Sequence, residues 1–226
     1  IANRLVDLES TPDSLEIMFG KDASRRKHWL RSPPIIPSVV EFATRRREQK
    51  ATFTSLIHNE GKEHALSNLQ QKLWSAIDGM NESGRKILDG SIKAFAHDLR
   101  KMKLPVLQGI IMTKEHYQHG EASLINSIKG KALLCVGGIQ LPQLLPCGQF
   151  GTRRLGGDGD SGQPRYIYTT LNKKLVELLY NRDDYPNYSF VDEDGERAEP
   201  HYFVPILPMA ILEHTHIPAR GWKIQV

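Results

Sequence analysis

The stretch GDSGQP, residues 159 to 164, runs directly into RYIYT and carries two hydroxyls that could act as nucleophiles, Ser161 and Tyr166. GDSGQP is one letter from GDSGGP, the serine loop of chymotrypsin-like proteases, but a serine nucleophile needs a histidine base and an aspartate that orients it. No histidine sits in that setting, since His97 falls inside the helical pattern AFAHDL. DGDSG also opens like a calcium loop, yet Gln163 and Thr169 occupy the positions where glycine and glutamate are needed. No GK[ST] follows the glycines, which excludes a phosphate-cradling P-loop. The close pairs His116/His119 and His214/His216 lack the HExxH form and a nearby cysteine, so no metal site is read. Arg165–Tyr166 is left. A phenol of ordinary pKa about 10 can attack phosphorus when a guanidinium favours the phenolate and holds the non-bridging oxygens. A packed tyrosine beside a surface arginine is the bland alternative.

These residues need elements to position them. Leu66 to Ile77 and Gly84 to Leu99 carry apolar residues at helical spacing (Ile87, Leu88, Ile92, Phe95, Ala96, Leu99), with DGMNESG as the turn between them. Pro105 to Met112 is a short apolar stretch, either strand or helix. After HYQHG a further helix is expected over Glu121 to Leu134, with Leu124, Ile125, Ile128 and Leu133 on one face and Ser123, Asn126, Ser127 and Lys131 elsewhere. Six glycines between 148 and 162 forbid regular helix there. Helix, turn, short element, helix and glycine-rich extension is the order of a winged helix-turn-helix, whose second helix enters the major groove. HYQHGE would open that helix, where histidines and backbone amides suit a phosphate. Beyond Arg165, IYTTLNKKLVELLY reads as an amphipathic helix and YFVPILPMAIL as a β-prone run broken by prolines. In the first part of the chain, LEIMFGKDASRRKHWL holds a short apolar run and a helix, ended by SPPIIP.

Composition narrows the class. The 226 residues are 39% hydrophobic and 25% charged, the balance of a globular protein with a real core. Two cysteines, Cys135 and Cys147, make no disulfide framework and point to a reducing compartment, with Cys135 read as a small buried hydrophobe. No apolar run reaches a bilayer's thickness, and IANRLVDLES has neither a signal core nor a starting Met, so the chain reads as a piece of something longer. Residues 21 to 50 hold nine basic and three acidic side chains, whereas residues 181 to 200 hold two basic and seven acidic. One face could meet a polyanion, or two helix surfaces could simply differ in sign. A solvated loop is the default expectation for 183 to 199.

PCGQFGTRRLGG and PRYIYT, preceded by DGMNESGRKIL and YQHGEASL and followed by EPHYFVPILPMAILEHTHIPARGW, resemble the breakage-reunion region of eukaryotic-type DNA topoisomerase II, a type IIA enzyme. The resemblance runs from about Gln70 to Trp222 and more faintly over FGKDASRRKHWL, which includes Lys21. It implies an α+β fold: an N-terminal helical linking segment (1–60), a CAP-like winged-helix DNA-binding and cleavage domain (61–175), and the start of an α/β tower-like domain (176–226). It implies that Tyr166 forms a 5′-phosphotyrosyl link with Arg165 stabilising the transition state. It further implies DNA contacts at Tyr117, His119, Ser123, Arg85, Lys86, Arg153 and Lys21, and at Asn81, which stands where the family has lysine. The DNA-intercalating residue of the family falls on Pro218, with Ile217 beside it, and an apolar wedge there would kink the duplex. GGDGDSGQ in place of GGKD, and EHTHIPARGW near the end, point to a large-DNA-virus version. The same resemblance implies Mg²⁺ and ATP, both bound outside this segment, a homodimer acting on double-stranded DNA, and an intracellular location, host cytoplasm if viral or otherwise nucleus. A winged-helix DNA-binding module without chemistry is the competing class, and it gives no reason for Arg165–Tyr166.

Overall fold

The computed structural model describes residues 6–7, 12–33, 51–133, 140–155, 158–213, 216–219 and 222–225. The chain divides into two compact units, Ile1–Gln70 and Gln71–Val226. In the first, β1 (Val6–Asp7) pairs in parallel with β2 (Ala51–Thr52), and helices α1 (Pro12–Phe19) and α2 (Ala23–Arg31) precede α3 (Phe53–Leu56), a π-turn over Ile57–Gly61 and α4 (Lys62–Lys72). Asp22 caps α2 by accepting from the Ser24 and Arg25 amides at 2.9 and 3.1 Å. Buried Trp29 donates its indole N–H to His58 at 3.0 Å, and His58 reaches Ser14 at 3.2 Å, which ties α1 and α2 to the π-turn.

In the second unit, α5 (Glu82–Ala94), β3 (Met102–Lys103), α6 (Leu104–Lys114), α7 (Glu121–Ala132), β4 (Leu144–Cys147) and β5 (Tyr168–Leu171) follow one another. The sheet order is β3-β5-β4, with both pairings antiparallel. Three helices and a three-stranded sheet closed by a long hairpin form a winged helix. Pro105 to Met112 resolves as helix because its apolar residues bury at helical and not alternating spacing: Leu104, Leu107 and Ile111 are at 0% exposure, while Val106 points out. Pro105 sits in the first turn, where no amide donor is required. These side chains meet Ile87, Leu88, Leu124 and Ile128 in one core, each burial stabilising by about 2 kcal/mol. At Gly90 a Cβ would lie 2.9 Å from Ile111, so α5 and α6 approach closely only because that side chain is missing.

Several elements differ from the sequence expectation. The helix expected to end at Leu99 stops at Ala94, leaving Leu99 exposed. IYTTLNKKLVELLY is strand first and helix afterwards, β5 and then α8 (Lys173–Leu179), because its aromatic and β-branched start alternates half-buried and buried on the sheet. Asn172 marks the switch, its amide donating to the Pro142 carbonyl at 3.0 Å. The proline-broken run YFVPILPMAIL makes a single bridge, Tyr180 to Pro205, before turning into α9 (Met209–Glu213). Lys131, expected off the buried face of α7, is buried. Cys135 lies outside the described residues.

The acidic stretch is not a solvated loop. It forms a turn of 3-10 helix (Arg182–Asn187) and an antiparallel hairpin of β6 (Phe190–Glu193) and β7 (Glu196–Pro200). Buried Lys86 donates to Glu193 and Glu199, each at 2.9 Å, and to the Glu115 carbonyl at 2.7 Å. Lys93 pairs with Asp89 at 2.8 Å and Glu115 at 2.9 Å, and the Tyr185 hydroxyl donates to Asp89 at 2.6 Å. Burial opposes charge on Lys86, and the two carboxylates overcome it and hold the amine above the usual lysine range. Four carboxyls thus face two ammonium groups, and the surplus falls on Glu115. Burial and then the Asp89 charge push its pKa to about 7, against the pull of Lys93.

That proton has a consequence for stability. Glu115 binds it more tightly folded than unfolded, so its contribution is complete below the ordinary carboxyl pKa and is lost as pH rises to about 7. Urea midpoints are expected to fall between about pH 5 and pH 7, and Glu115→Gln should flatten that slope. An unchanged slope in the variant would place the titration elsewhere.

Candidate nucleic-acid interface and its tyrosine

Tyr166 ends a single 3-10 turn, Pro164–Tyr166, closed by its own amide donating to Gln163 at 2.9 Å. The next residue, Ile167, is at 2% exposure, and its carbonyl accepts from the Leu104 amide at 3.3 Å, which anchors the turn to the start of α6. Gly148 leaves β4 with φ at 111°, a conformation open to glycine, and turns the chain into the wing. Gly162 N–H then donates to the Gln149 carbonyl at 2.8 Å. Inside the loop the Asp160 carboxylate accepts from the Thr152 hydroxyl at 2.6 Å and the Thr152 amide at 2.8 Å, bonds that hold it below the usual carboxyl range. Lys129 of α7 donates to the Ser161 hydroxyl at 2.7 Å. GDSGQP is therefore a tied-down approach to the tyrosine, and both Asp160 and Ser161 are used in tying it.

The ring itself is held out to solvent. Tyr166 is 70% exposed, and the exposed Arg165 guanidinium lies 5.5 Å from its centroid. Tyrosine is usually largely buried when its neighbours allow. Two residues further on, Lys101 and Lys103 stand 5.4 and 6.0 Å from the Tyr168 ring centroid. Sequence reasoning does not single out these two lysines. Their alternation around Met102 in KMK is the available signal, because strand period two puts both on one face.

The other expected contacts divide. His119, Ser123 and Arg153 are exposed, the first just ahead of α7, the second in its first turn and the third in the wing loop. Tyr117 is buried and meets the His119 ring edge-on at 5.4 Å, so it sets that histidine's position. Asn81 caps α5, accepting from the Gly84 amide at 2.9 Å. Arg85 donates to Asp78 at 2.7 Å and to the Met80 carbonyl at 2.9 Å, committing its guanidinium to the turn before α5. Lys86 must be corrected: its amine is enclosed by Glu115, Glu193 and Glu199 and offers nothing to a duplex. Lys21 is exposed just ahead of α2 in the first unit. Ile217 and Pro218 lie in β8 (His216–Ala219), paired with β9 (Trp222–Gln225) so that they oppose Ile224 and Lys223; their side chains are outside the described residues.

Fold and site together define a winged-helix protein that presents a tyrosine-arginine pair on its wing. Residues 73–226 match the family of the DNA gyrase/topoisomerase IV A-type subunits, and the chain belongs to that family. It is 32% identical over 216 residues to DNA topoisomerase 2 of African swine fever virus (isolate Tick/Malawi/Lil 20-1/1983), covering 95% of this chain and 18% of the relative. It is 34% identical over 216 residues to DNA topoisomerase 2 of Arabidopsis thaliana, covering 95% and 14%. The crystal structure of the Plasmodium falciparum topoisomerase II DNA-binding, cleavage and re-ligation domain superposes with a TM-score of 0.75 at 28% identity, covering 93% of this chain and 28% of that one. The chain therefore spans less than a fifth of the length of these two curated relatives.

Proposed function

We propose that this chain is the DNA breakage-reunion part of a type II topoisomerase and that Tyr166 is its nucleophile. The observation that carries the reading is the 70% exposure of Tyr166 on an anchored turn with Arg165 against it. The phenol gives up its proton and its Oη attacks the phosphorus of a DNA phosphodiester. The bond from phosphorus to O3′ breaks, the 3′-oxygen takes a proton, and the protein stays joined to the 5′-phosphate end. Attack by the 3′-hydroxyl reverses every bond change, so no energy of the phosphodiester is lost while a second duplex passes. Arg165 offers paired donors to the non-bridging oxygens as charge develops on them. His119, Ser123, Arg153 and the lysines beside Tyr168 are the proposed backbone contacts, and Lys21 adds one from the first unit. Tyr117, Asn81 and Arg85 act by positioning that surface.

Among the described residues no three His, Cys, Asp or Glu side chains come together in a group that could hold a metal ion. None of the steps above is routed through Mg²⁺. Mg²⁺ and ATP are proposed for the whole polypeptide, bound elsewhere in it, which would act as a homodimer. The wedge is proposed in the β8–β9 hairpin, on Pro218 or its neighbour Ile217. A viral origin, with action in host cytoplasm and the nucleus as the alternative, is proposed from EHTHIPARGW and the altered GGDGDSGQ loop. Among the described residues no helix is long and apolar enough to cross a membrane.

The test uses the intact polypeptide with Mg²⁺ and duplex DNA labelled at either the 5′ or the 3′ end of the cleaved strand, stopped with detergent. Protein is expected on the 5′-phosphate end of the downstream fragment, with a free 3′-hydroxyl on the upstream one. Tight binding without any adduct would favour the non-catalytic winged-helix module.

A further inference from the structure

At the start of α5 lies a cavity of about 300 Å³, lined by Ser83, Ser127, Lys131 and Gln143 and walled by Met80, Ile87 and Met209 among others. Two of its polar groups are without partners among the described residues. Lys131 is at 8% exposure and makes no ion pair. The carboxylates whose charges reach it are already engaged, Asp78 by Arg85 and by the Met80 and Phe203 amides, Glu213 by the Gln140 and Leu141 amides. Gln143 is at 2% exposure, and its amide nitrogen donates to the Tyr180 hydroxyl at 3.1 Å. With that nitrogen engaged, Oε1 is left buried and unbonded. An unmade hydrogen bond and an unpaired ammonium are both costly in such a place.

We propose that this cavity is a binding site for a small aromatic anion that carries a hydroxyl. The anionic group pairs with Lys131 and takes hydrogen bonds from the Ser83 and Ser127 hydroxyls, at the helix end where the α5 dipole also favours negative charge. The hydroxyl donates to Gln143 Oε1, and the ring fills the space between Met80, Ile87 and Met209. Neither a plain hydrocarbon nor a cation satisfies both orphaned groups. Burial holds Lys131 down at about 8, and an arriving anion relieves that penalty by supplying the missing countercharge.

The experiment titrates the intact polypeptide calorimetrically with 3- and 4-hydroxybenzoate and with benzoate. At least one hydroxybenzoate is expected to bind about tenfold more tightly than benzoate, because benzoate leaves Gln143 unpaired. Lys131→Met keeps the stem and removes an unpaired buried charge, so it should fold at least as well as the parent and weaken both ligands about tenfold or more. Gln143→Leu should erase the preference for the hydroxyl, and it decides the matter independently if the other variant does not fold. Hydroxybenzoate and benzoate binding equally, or Lys131→Met binding as the parent does, would overturn the proposal. A short duplex that displaces hydroxybenzoate one for one would overturn it too, by assigning the cavity to DNA. None of these readouts depends on DNA cleavage.

Discussion

Tyr166→Phe is expected to reduce DNA relaxation and covalent adduct formation to background while leaving duplex affinity within about twofold of the parent. The ring is 70% exposed, and among the described residues its hydroxyl makes no hydrogen bond. Removing one oxygen there takes away no packing and strands no buried partner, so the stability cost should stay within about 0.5 kcal/mol. The turn that carries it is held by Ile167, the Gly162–Gln149 bond and the Asp160–Thr152 pair, and none of them uses the phenol. Loss of activity with the fold and binding intact would thus be a loss of chemistry. Relaxation of supercoiled DNA, adduct yield and a binding isotherm on the same preparation separate the three.

Lys86→Ala is expected to fail in the opposite way, by unfolding. The variant leaves Glu193 and Glu199 without their shared cation, in a cluster already rich in carboxyls. Stranding buried charge of this kind costs about 3 to 5 kcal/mol, a large share of the roughly 5 to 15 kcal/mol that holds a typical domain together. The hairpin β6–β7 should loosen from α5 first, because the Lys86 bonds to Glu193 and Glu199 are among the ties between them. Urea unfolding followed by circular dichroism measures the loss. Lys86→Met combined with Glu199→Gln should recover part of it by removing one of the stranded charges. If Lys86→Ala were as stable as the parent and only bound DNA less tightly, the buried network would be misassigned and Lys86 would be a DNA contact.

Lys86 also marks where sequence ceases to be legible. Next to Arg85, at the start of an amphipathic helix, it looks like half of a basic pair facing a polyanion. Its partners Glu193 and Glu199 stand 107 and 113 residues away, so no local pattern reveals that the amine is neutralised inside. Lys129 and Lys131 are illegible for the same reason: they are buried on α7, one by a bond to Ser161 and the other beside a cavity. What is legible rests on local rules. Helical spacing locates α5 and α7, the glycines locate the wing, and a proline in a first turn suits α6. IYTTLNKKLVELLY misleads because its apolar residues fit a helix until the β-branched pair Thr169 and Thr170 is weighed against the sheet that β4 offers. The exposure of Tyr166, on which the proposed chemistry depends, goes with the burial of Ile167 beside it and is visible only in three dimensions.

Tyr166, and no other hydroxyl in the wing, is expected to join to DNA. The most direct test is to trap the adduct with detergent, digest protein and DNA, and sequence the nucleotide-bearing peptide by mass spectrometry. The nucleotide is expected on Tyr166, within the peptide that follows Arg165. A nucleotide found on Ser161, Tyr168 or Tyr117 would contradict it.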